Sequence, residues 1–242
     1  MQSSCETTID LCDRKRTLVI MAKAPRAGMV KTRLSQSLPS PAVTALYRCL
    51  LEDTISLARS LRGVEVAVMC PASDIDALER LHGKTVQVVA QKGDGLAAGL
   101  TSVFAQFAAI ERHVIAFNSD SPHLPGSVLK SAFRILTVHD MVVGPTHDGG
   151  YYLVGARAAH KTLFENDGLG TSSALERLLA RARVLKLSAG LTAPFYDIDV
   201  ADDLIRLARE LQLEPAKAQR TAGWFSKWGQ TVAKLKPSTT KL

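Results

Sequence analysis

The 242-residue sequence lacks a long hydrophobic run: no stretch reaches the roughly 18 apolar residues that a membrane-spanning helix needs. Its first sixteen residues carry three acids and have no hydrophobic core of a signal peptide, so we expect a cytoplasmic protein. Cysteine is scarce and has no Cys-x-x-Cys spacing, which predicts free thiols and argues against a disulfide framework or a structural zinc site. The four cysteines are Cys5, Cys12, Cys49 and Cys70.

Net positive charge is small outside the carboxyl end. The formal net charge is +7, but residues 214–242 carry six lysines and arginines against one acid, so the rest of the chain is only mildly basic. The body has no basic stripe with interleaved aromatics, which argues against nucleic-acid binding. We therefore expect a small anionic ligand.

The usual phosphate motifs are also missing, since the sequence has neither a Walker loop nor a fingerprint of three spaced glycines. A cation-rich loop at 23–34 follows the first apolar run, residues 17–21, and ligands bind at this end of the strands in open α/β sheets. Gly28 allows torsions that other residues resist, so the cations can converge on one polyphosphate. A solvated charged loop is the other interpretation. The four cations are Lys23, Arg26, Lys31 and Arg33.

Strand and helix patterns alternate along the chain. Apolar runs predict strands at 17–21, 64–69, 86–89, 113–117, 141–143 and 151–154, and amphipathic patterns predict helices over 46–61, 75–81, 129–136 and 200–211. This alternation predicts a single α/β domain, with a mostly parallel twisted sheet covered by helices on both faces. We expect an extension at 1–16, this domain at 17–213 and a basic amphipathic tail at 214–242.

An acid stands at the end of the fourth predicted strand, in Ser-Asp-Ser-Pro at 119–122. Asp120 would face the ligand crevice, and a carboxylate there can bind Mg²⁺ or Mn²⁺ together with phosphate oxygens and waters. A helix cap or turn is the alternative. Asp199 is our candidate for a second ligand, because alternation sends it and Asp197 to one side of an extended segment. Asp197 could instead orient a cation of the loop.

A turn-rich segment, residues 144–150, links the last two predicted strands. Asp148 could bind an acceptor hydroxyl or act as a base, whereas the plain interpretation is a hairpin turn, where Asp-Gly is common. Gly149 and Gly150 would let a ligand approach the backbone. Tyr151 and Tyr152 alternate along a strand, so we expect one of them in the core.

The tail contains an aromatic, basic amphipathic helix. At about 100° per residue its apolar side chains share a narrow face, which could contact an anionic membrane, a second subunit or the body of the protein. These residues lie within 224–235: Trp224, Phe225, Trp228, Val232 and Leu235.

Four ordered motifs, at 23–34, 119–125, 144–153 and 197–204, resemble the DUF2064 family, also called the radical-SAM/selenodomain-associated transferase 1 group. The resemblance covers residues 17–211 and implies a GT-A-like nucleotide-diphospho-sugar transferase fold. It implies that Lys23, Lys31 and Arg33 bind nucleotide phosphates, and that Asp120 and Asp199 lie at a Mg²⁺ or Mn²⁺ site. It also implies an acceptor-side turn formed by Asp148, Gly149 and Gly150 with Tyr151 beside it.

The sequence departs from that family at two places. Relatives commonly carry Leu-Gly-Glu-Arg where this chain has Leu-Ala-Ala-Gly at 96–99, and a Trp where it has Leu169. The resemblance implies glycosyl transfer from a nucleoside-diphosphate sugar to a small acceptor. The alternatives are nucleotidyl transfer from a nucleoside triphosphate with pyrophosphate release, and a nucleotide-binding protein with impaired catalysis.

Overall fold

The computed structural model describes residues 15–108, 112–165 and 171–235, so Cys5, Cys12 and Leu169 lie outside the described residues. The strands are β1 Arg16–Met21, β2 Val64–Cys70, β3 Gln87–Ala90, β4 His113–Asn118, β5 Met141–Pro145, β6 Tyr151–Ala156 and β7 Ala189–Leu191. The helices are α1 Ser40–Arg59, α2 Ile75–His82, α3 Gly95–Phe107, α4 Gly126–Val138, α5 Ala174–Val184, α6 Ala201–Leu213 and α7 Gln219–Val232.

The strands form one sheet in the order β3-β2-β1-β4-β6-β5-β7. β6 is antiparallel to both neighbours, β4 and β5, and the other pairs are parallel. The predicted α/β fold with a mostly parallel sheet is therefore confirmed. The residues around Asp148 turn between β5 and β6, so this link is a hairpin. The sequence patterns did not predict β7, α3 or α5.

Apolar side chains cover the sheet on both faces. Alternate residues of β1 point to opposite sides, so Leu18 packs with α1, α2 and α4 while Val19 packs with α3 and α5. Tyr152 is buried and donates a hydrogen bond of 2.9 Å to the Ala193 carbonyl oxygen. Tyr151 packs against the cluster on the α3 and α5 face.

A third apolar cluster lies between α1, α6 and α7. It contains Leu34, Leu46, Ile198, Leu207 and Trp224, which are all buried. The helical tail therefore docks its apolar face on the body of the protein, and the side chains of Trp224 and Val232 are covered there. Among the described residues, no helix has the length and apolarity needed to cross a membrane.

Buried polar contacts help to fix α7 on α1. Trp224 Nε1 donates a 3.0 Å hydrogen bond to the Ala42 carbonyl oxygen. The buried Asp53 carboxylate accepts from the Thr221 N–H and hydroxyl, both at 2.8 Å, and from the Arg220 N–H at 3.2 Å. These donors belong to the first turn of α7, so Asp53 satisfies amides that an uncapped helix would leave without partners.

Candidate functional site

The cation-rich loop leaves the carboxyl end of β1 and is pinned at both ends by buried side chains, Ala24 and Leu34. The Ala24 N–H donates to Asp74 at 2.9 Å. Gly28 has a φ of +74°, and a Cβ there would meet no atom within 4 Å, so its backbone conformation is what favours glycine. Lys31 also adopts a positive φ, +48°, which is uncommon for a residue with a side chain.

The loop cations do not all face the same way. Arg26 forms an ion pair of 2.6 Å with Asp74 and donates to the Ser73 carbonyl oxygen at 2.8 Å. It therefore fastens the loop to the start of α2. Its side chain is still 47% exposed, so this cation is both paired and accessible to solvent.

Lys31 and Arg33 meet two carboxylates at the sheet edge. The Lys31 ammonium lies 2.7 Å from Asp120 Oδ2 and 3.5 Å from Asp199 Oδ1. Arg33 lies 2.6 Å from Asp199 Oδ2. The chain thus brings together four residues that lie as far apart in sequence as positions 31 and 199, and the pairing leaves the cluster with no net charge.

Backbone contacts hold the two acids in this position. The Ile198 N–H donates to the Asp120 carbonyl oxygen at 3.2 Å, which joins the 197–199 segment to the turn after β4. Asp203, in the first turn of α6, accepts from the N–H groups of Asp199 and Val200 at 3.0 and 2.9 Å. Ile198 is fully buried while its neighbours face the site, as the alternation predicts.

The electrostatics of the cluster change several pKa values. Burial lowers the pKa of Lys31, but the carboxylates of Asp120 and Asp199 outweigh it, and the pKa is raised. Burial raises the pKa of Asp197 to about 6, and the charges of Asp120 and Asp199 add to the rise against an opposing effect of Lys31. Lys31 is thus held charged, and Asp197 titrates closer to neutrality than an exposed aspartate.

Tyr47 is a site residue that the sequence patterns missed. Its hydroxyl accepts from the Lys23 N–H at 2.9 Å and lies 3.2 Å from Ser119 Oγ, beside Asp120. Burial, with the Asp120 charge, raises its pKa to about 12, so it stays a neutral hydroxyl. In sequence Tyr47 occupies an apolar position of α1 and gives no signal of this role.

A cavity of about 580 Å³ opens over the loop and the carboxylates. Its volume falls in the range of small-molecule sites, about 300 to 1,000 Å³. The predicted phosphate-binding side chains of Lys23, Lys31 and Arg33 line it, with Asp120 and Asp199. Gln91, which follows β3, and Gly95 and Leu96, at the start of α3, also line it.

A second cavity of about 150 Å³ adjoins the first, because Arg33 and Asp199 line both. Asp148 and Asp197 also line it, so it is strongly acidic. Asp148 Oδ1 accepts from the Thr146 hydroxyl and, at 3.2 Å, from the Gly150 N–H, which fixes the turn between β5 and β6.

Gly149 serves backbone packing within this turn. A Cβ there would lie 2.0 Å from the Ser172 carbonyl oxygen, and its φ is +88°. The space around Gly150 is less tight, since a Cβ there would lie 2.9 Å from the Thr146 hydroxyl oxygen. Tyr151 is half-buried against the sheet. The substrate-side roles of Gly149, Gly150 and Tyr151 stay a prediction.

The departure from the family pattern at Gly99 has a structural counterpart. A Cβ at Gly99 would lie 2.7 Å from both Gln91 Oε1 and Met21 Cε, so these two side chains fill the space beside it. Gln91 Nε2 also donates to the carbonyl oxygens of Gly93 and Gly95, at 2.9 and 3.1 Å. These contacts pack Gln91 against the start of α3 and leave no free space beside Gly99.

The donor set suits a divalent metal that also binds phosphate. Asp120 and Asp199 already direct oxygens toward a single cation, the Lys31 ammonium. Within the described residues there is no group of three or more metal-ligating side chains. At nucleotide sites, Mg²⁺ is typically bound by one or two carboxylates, and phosphate oxygens and waters fill its remaining coordination positions.

Behind the site, His123 is buried between the rings of Phe195 and Tyr196, with centroid distances of 4.9 and 4.5 Å. Neither ring nitrogen has a hydrogen-bond partner in the described part of the chain. Burial, with the charges of Arg206 and Lys217, lowers the pKa of His123 from 6.5 to about 3. The imidazole is therefore neutral at physiological pH.

This gives a pH dependence of stability. Below pH 6.5 the unfolded chain binds a proton at His123 that the folded protein does not, so the stabilisation is lost as the pH falls from 6.5 toward 3. At pH 5 we expect a loss of about 2 kcal/mol in the free energy of unfolding from this residue. Urea unfolding at pH 7 and pH 5 should show a drop smaller by that amount in His123→Phe. If the free energy of unfolding fell equally in both proteins, His123 would not be the source of this pH dependence.

The fold is that of nucleotide-diphospho-sugar transferases. A candidate nucleotide-diphospho-sugar transferase from Desulfovibrio desulfuricans G20 superposes with a TM-score of 0.83 at 22% identity, covering 93% of this chain and 99% of that one. CMP:2-keto-3-deoxy-manno-octonic acid synthetase complexed with CTP gives 0.56 at 11% identity, covering 83% and 99%. Rv0371c of Mycobacterium tuberculosis H37Rv in complex with manganese gives 0.51 at 21%, covering 80% and 97%.

The family resemblance of the sequence is confirmed as well. The model of DUF2064, described as "Uncharacterized protein conserved in bacteria", matches residues 54–171. That range includes Asp120 and the Asp148 turn, and the cation-rich loop and Asp199 lie on either side of it. Among curated proteins none matches the chain. At identities of 22%, 11% and 21%, the likeness to these solved structures establishes the fold alone.

Proposed function

We propose that this protein is a metal-dependent glycosyltransferase that moves a sugar from a nucleoside diphosphate to a small acceptor. The observation that carries the proposal is the pair of adjoining cavities that meet at Arg33 and Asp199. The larger holds the cations and Asp120, as a diphosphate donor requires, and the smaller holds Asp148. A nucleotide-sugar donor and a small acceptor would thus meet where the two cavities join.

At the donor end, the charged side chains act on the diphosphate. Lys23, Lys31 and Arg33 would bind its oxygens, and Gly28 lets the loop take the conformation that brings them there. Asp120 and Asp199 would hold Mg²⁺ or Mn²⁺. When bound there, the ion would neutralise charge on the leaving diphosphate. The superposition on a candidate nucleotide-diphospho-sugar transferase supports this choice of donor.

At the acceptor end, Asp148 is the candidate base. Its Oδ1 is oriented by the Thr146 hydroxyl and the Gly150 N–H. A carboxylate fixed in this way can accept the proton of an acceptor hydroxyl as that oxygen attacks the anomeric carbon. The small volume of the second cavity favours a small acceptor.

Nucleotidyl transfer is the second candidate, and the three cations lining the larger cavity favour it. In that reaction an acid oxygen of the substrate attacks the α-phosphorus of a nucleoside triphosphate, and Lys23, Lys31 and Arg33 stabilise the pyrophosphate that leaves. The likeness to a synthetase solved with CTP supports this candidate.

The third candidate is nucleotide binding with impaired catalysis. The packed space beside Gly99, where the family resemblance implies an arginine, favours it.

One set of incubations separates the three. The wild-type protein is incubated with Mn²⁺ and nucleoside-diphosphate sugars in one series, and with Mn²⁺ and nucleoside triphosphates in another. No acceptor is added, so water serves as the acceptor. Release of nucleoside diphosphate from the sugars supports glycosyl transfer, and release of pyrophosphate from the triphosphates supports the alternative. Calorimetric nucleotide binding that persists in Asp120→Ala, without either product, would leave the binding protein as the answer.

A further inference from the structure

The Lys31 ammonium stands between the two carboxylates that would hold the metal. It lies 2.7 Å from Asp120 and 3.5 Å from Asp199, and its side chain is only 5% exposed. With Arg33 on the other oxygen of Asp199, the charges of the two acids are already balanced. The site thus contains a cation of its own, and that cation is covalently part of the cation-rich loop.

A free divalent ion would meet opposition at this place. It would have to displace an ammonium that is buried and paired, and the displaced charge would stay within a few ångströms of the metal unless another anion received it. Repulsion between like charges at such distances is strong where water is excluded. A nucleotide removes the difficulty, because its phosphates give Lys31 a new anionic partner in the same cavity.

The loop conformation agrees with a residue that can change partners. Lys31 has a positive φ, and Gly28, three residues earlier, has one as well. A side chain makes that region unfavourable, so the ion pairs oppose a backbone strain that release of the ammonium would allow to relax. Tyr47 anchors the start of the loop through the Lys23 N–H, and the buried Val30 side chain anchors it beside Lys31, so a change of partner would involve mainly the Lys31 side chain.

We infer that Lys31 takes the place of the metal until a nucleotide arrives, so that the site accepts a metal–nucleotide complex and discriminates against the free metal ion. The inference rests on the proposed function, since it takes Asp120 and Asp199 as the metal ligands. It gives Lys31 two successive partners: the carboxylate pair, and then the phosphates.

Direct measurement of Mn²⁺ binding tests this. The electron paramagnetic resonance signal of free Mn²⁺ is followed as wild type, Lys31→Met and Lys23→Met are added without nucleotide. We expect Lys31→Met to bind Mn²⁺ at least tenfold more tightly than wild type. Lys23→Met removes one positive charge from the same cavity, but Lys23 has no ion pair to either acid among the described residues, so it should stay within about threefold of wild type.

A second arm separates this inference from the proposed function. Wild type and Asp120→Asn are dialysed with Mn²⁺ and UDP, GDP or CDP, and retained metal is measured. If Mn²⁺ is retained with nucleotide in an Asp120-dependent way, but Lys31→Met binds free Mn²⁺ no better than wild type, only the role of Lys31 is overturned. If no nucleotide gives Asp120-dependent retention, the metal site of the proposed function fails too.

Thermal unfolding keeps the test decisive if Lys31→Met is poorly folded. Loss of the ammonium leaves two acids facing each other, so Mn²⁺ should raise the unfolding temperature of Lys31→Met, or of the shorter neutral Lys31→Gln, more than that of wild type. Equal shifts in wild type and in both variants would overturn the inference.

Discussion

Asp120→Asn is expected to lower kcat by about 10² to 10³, the size of effect seen when one group that stabilises developing charge is removed. Asparagine keeps the size of the side chain and removes the charge that faces Lys31 and the predicted metal position. Because the turn is held through the Asp120 carbonyl oxygen, which accepts from Ile198, the variant should keep the fold. The measurement is the steady-state rate of whichever product the wild-type protein releases.

Asp202→Asn is the matched control for this experiment. Asp202 lies in the first turn of α6, three residues after Asp199, and lines neither of the two cavities described. We expect its kcat to stay within about twofold of wild type, since Asp202 lines neither cavity and the change removes only one of the two acidic charges in the first turn of α6. If both variants lost activity equally, the effect would be one of general charge, and Asp120 would have no special part in the reaction.

Asp53→Ala is expected to cost about 2 to 4 kcal/mol in the free energy of unfolding, because a buried donor left without a partner costs about 1 to 3 kcal/mol and two buried Thr221 donors lose theirs. Its buried carboxylate receives the Thr221 N–H, the Thr221 hydroxyl and the Arg220 N–H. Alanine removes the acceptor of all three donors, and Thr221, which carries two of them, is fully buried. Urea unfolding followed by circular dichroism measures the loss.

The neighbouring residue on the same helix supplies the comparison. Glu52 pairs with Arg48 at 2.8 Å and with Arg220 at 3.2 Å near the surface. Surface pairs of this kind contribute up to about 1 kcal/mol, so Glu52→Ala should cost no more than that. A loss in Asp53→Ala no larger than in Glu52→Ala would show that α7 does not depend on this carboxylate.

Much of the candidate site was predictable because parallel strands bring their carboxyl ends to one edge. The loop after β1 and the turn after β4 follow strands that the apolar runs predict, so Lys31 and Asp120 were expected to be neighbours. Asp199 follows the buried Ile198 in an extended segment, and alternation sufficed to place its side chain toward the crevice. The roles of these residues stay predictions, which the experiments above address.

Other parts depend on contacts that no local pattern encodes. Arg26 is paired with Asp74, and Tyr47 meets Ser119, across gaps that only the tertiary fold closes. β7 is a three-residue strand, Ala-Gly-Leu, without a β-branched residue, so its position beside β5 decides its structure. α3 contains two glycines, and its side chains are apolar around most of its circumference, which hides the helical period.

The apolar cluster beneath α7 has a consequence for where the functional unit ends. Leu34 directly follows Arg33, Ile198 directly precedes Asp199, and both side chains are fully buried in that cluster. Arg33 and Asp199, which form the 2.6 Å ion pair, are therefore each attached to a residue of the same apolar cluster. Trp224 of α7 also belongs to this cluster. A chain shortened to residue 213 would lose Trp224 and expose this apolar cluster to water. The smallest fragment that keeps the proposed nucleotide site preorganised therefore includes a helix that lines neither of these two cavities.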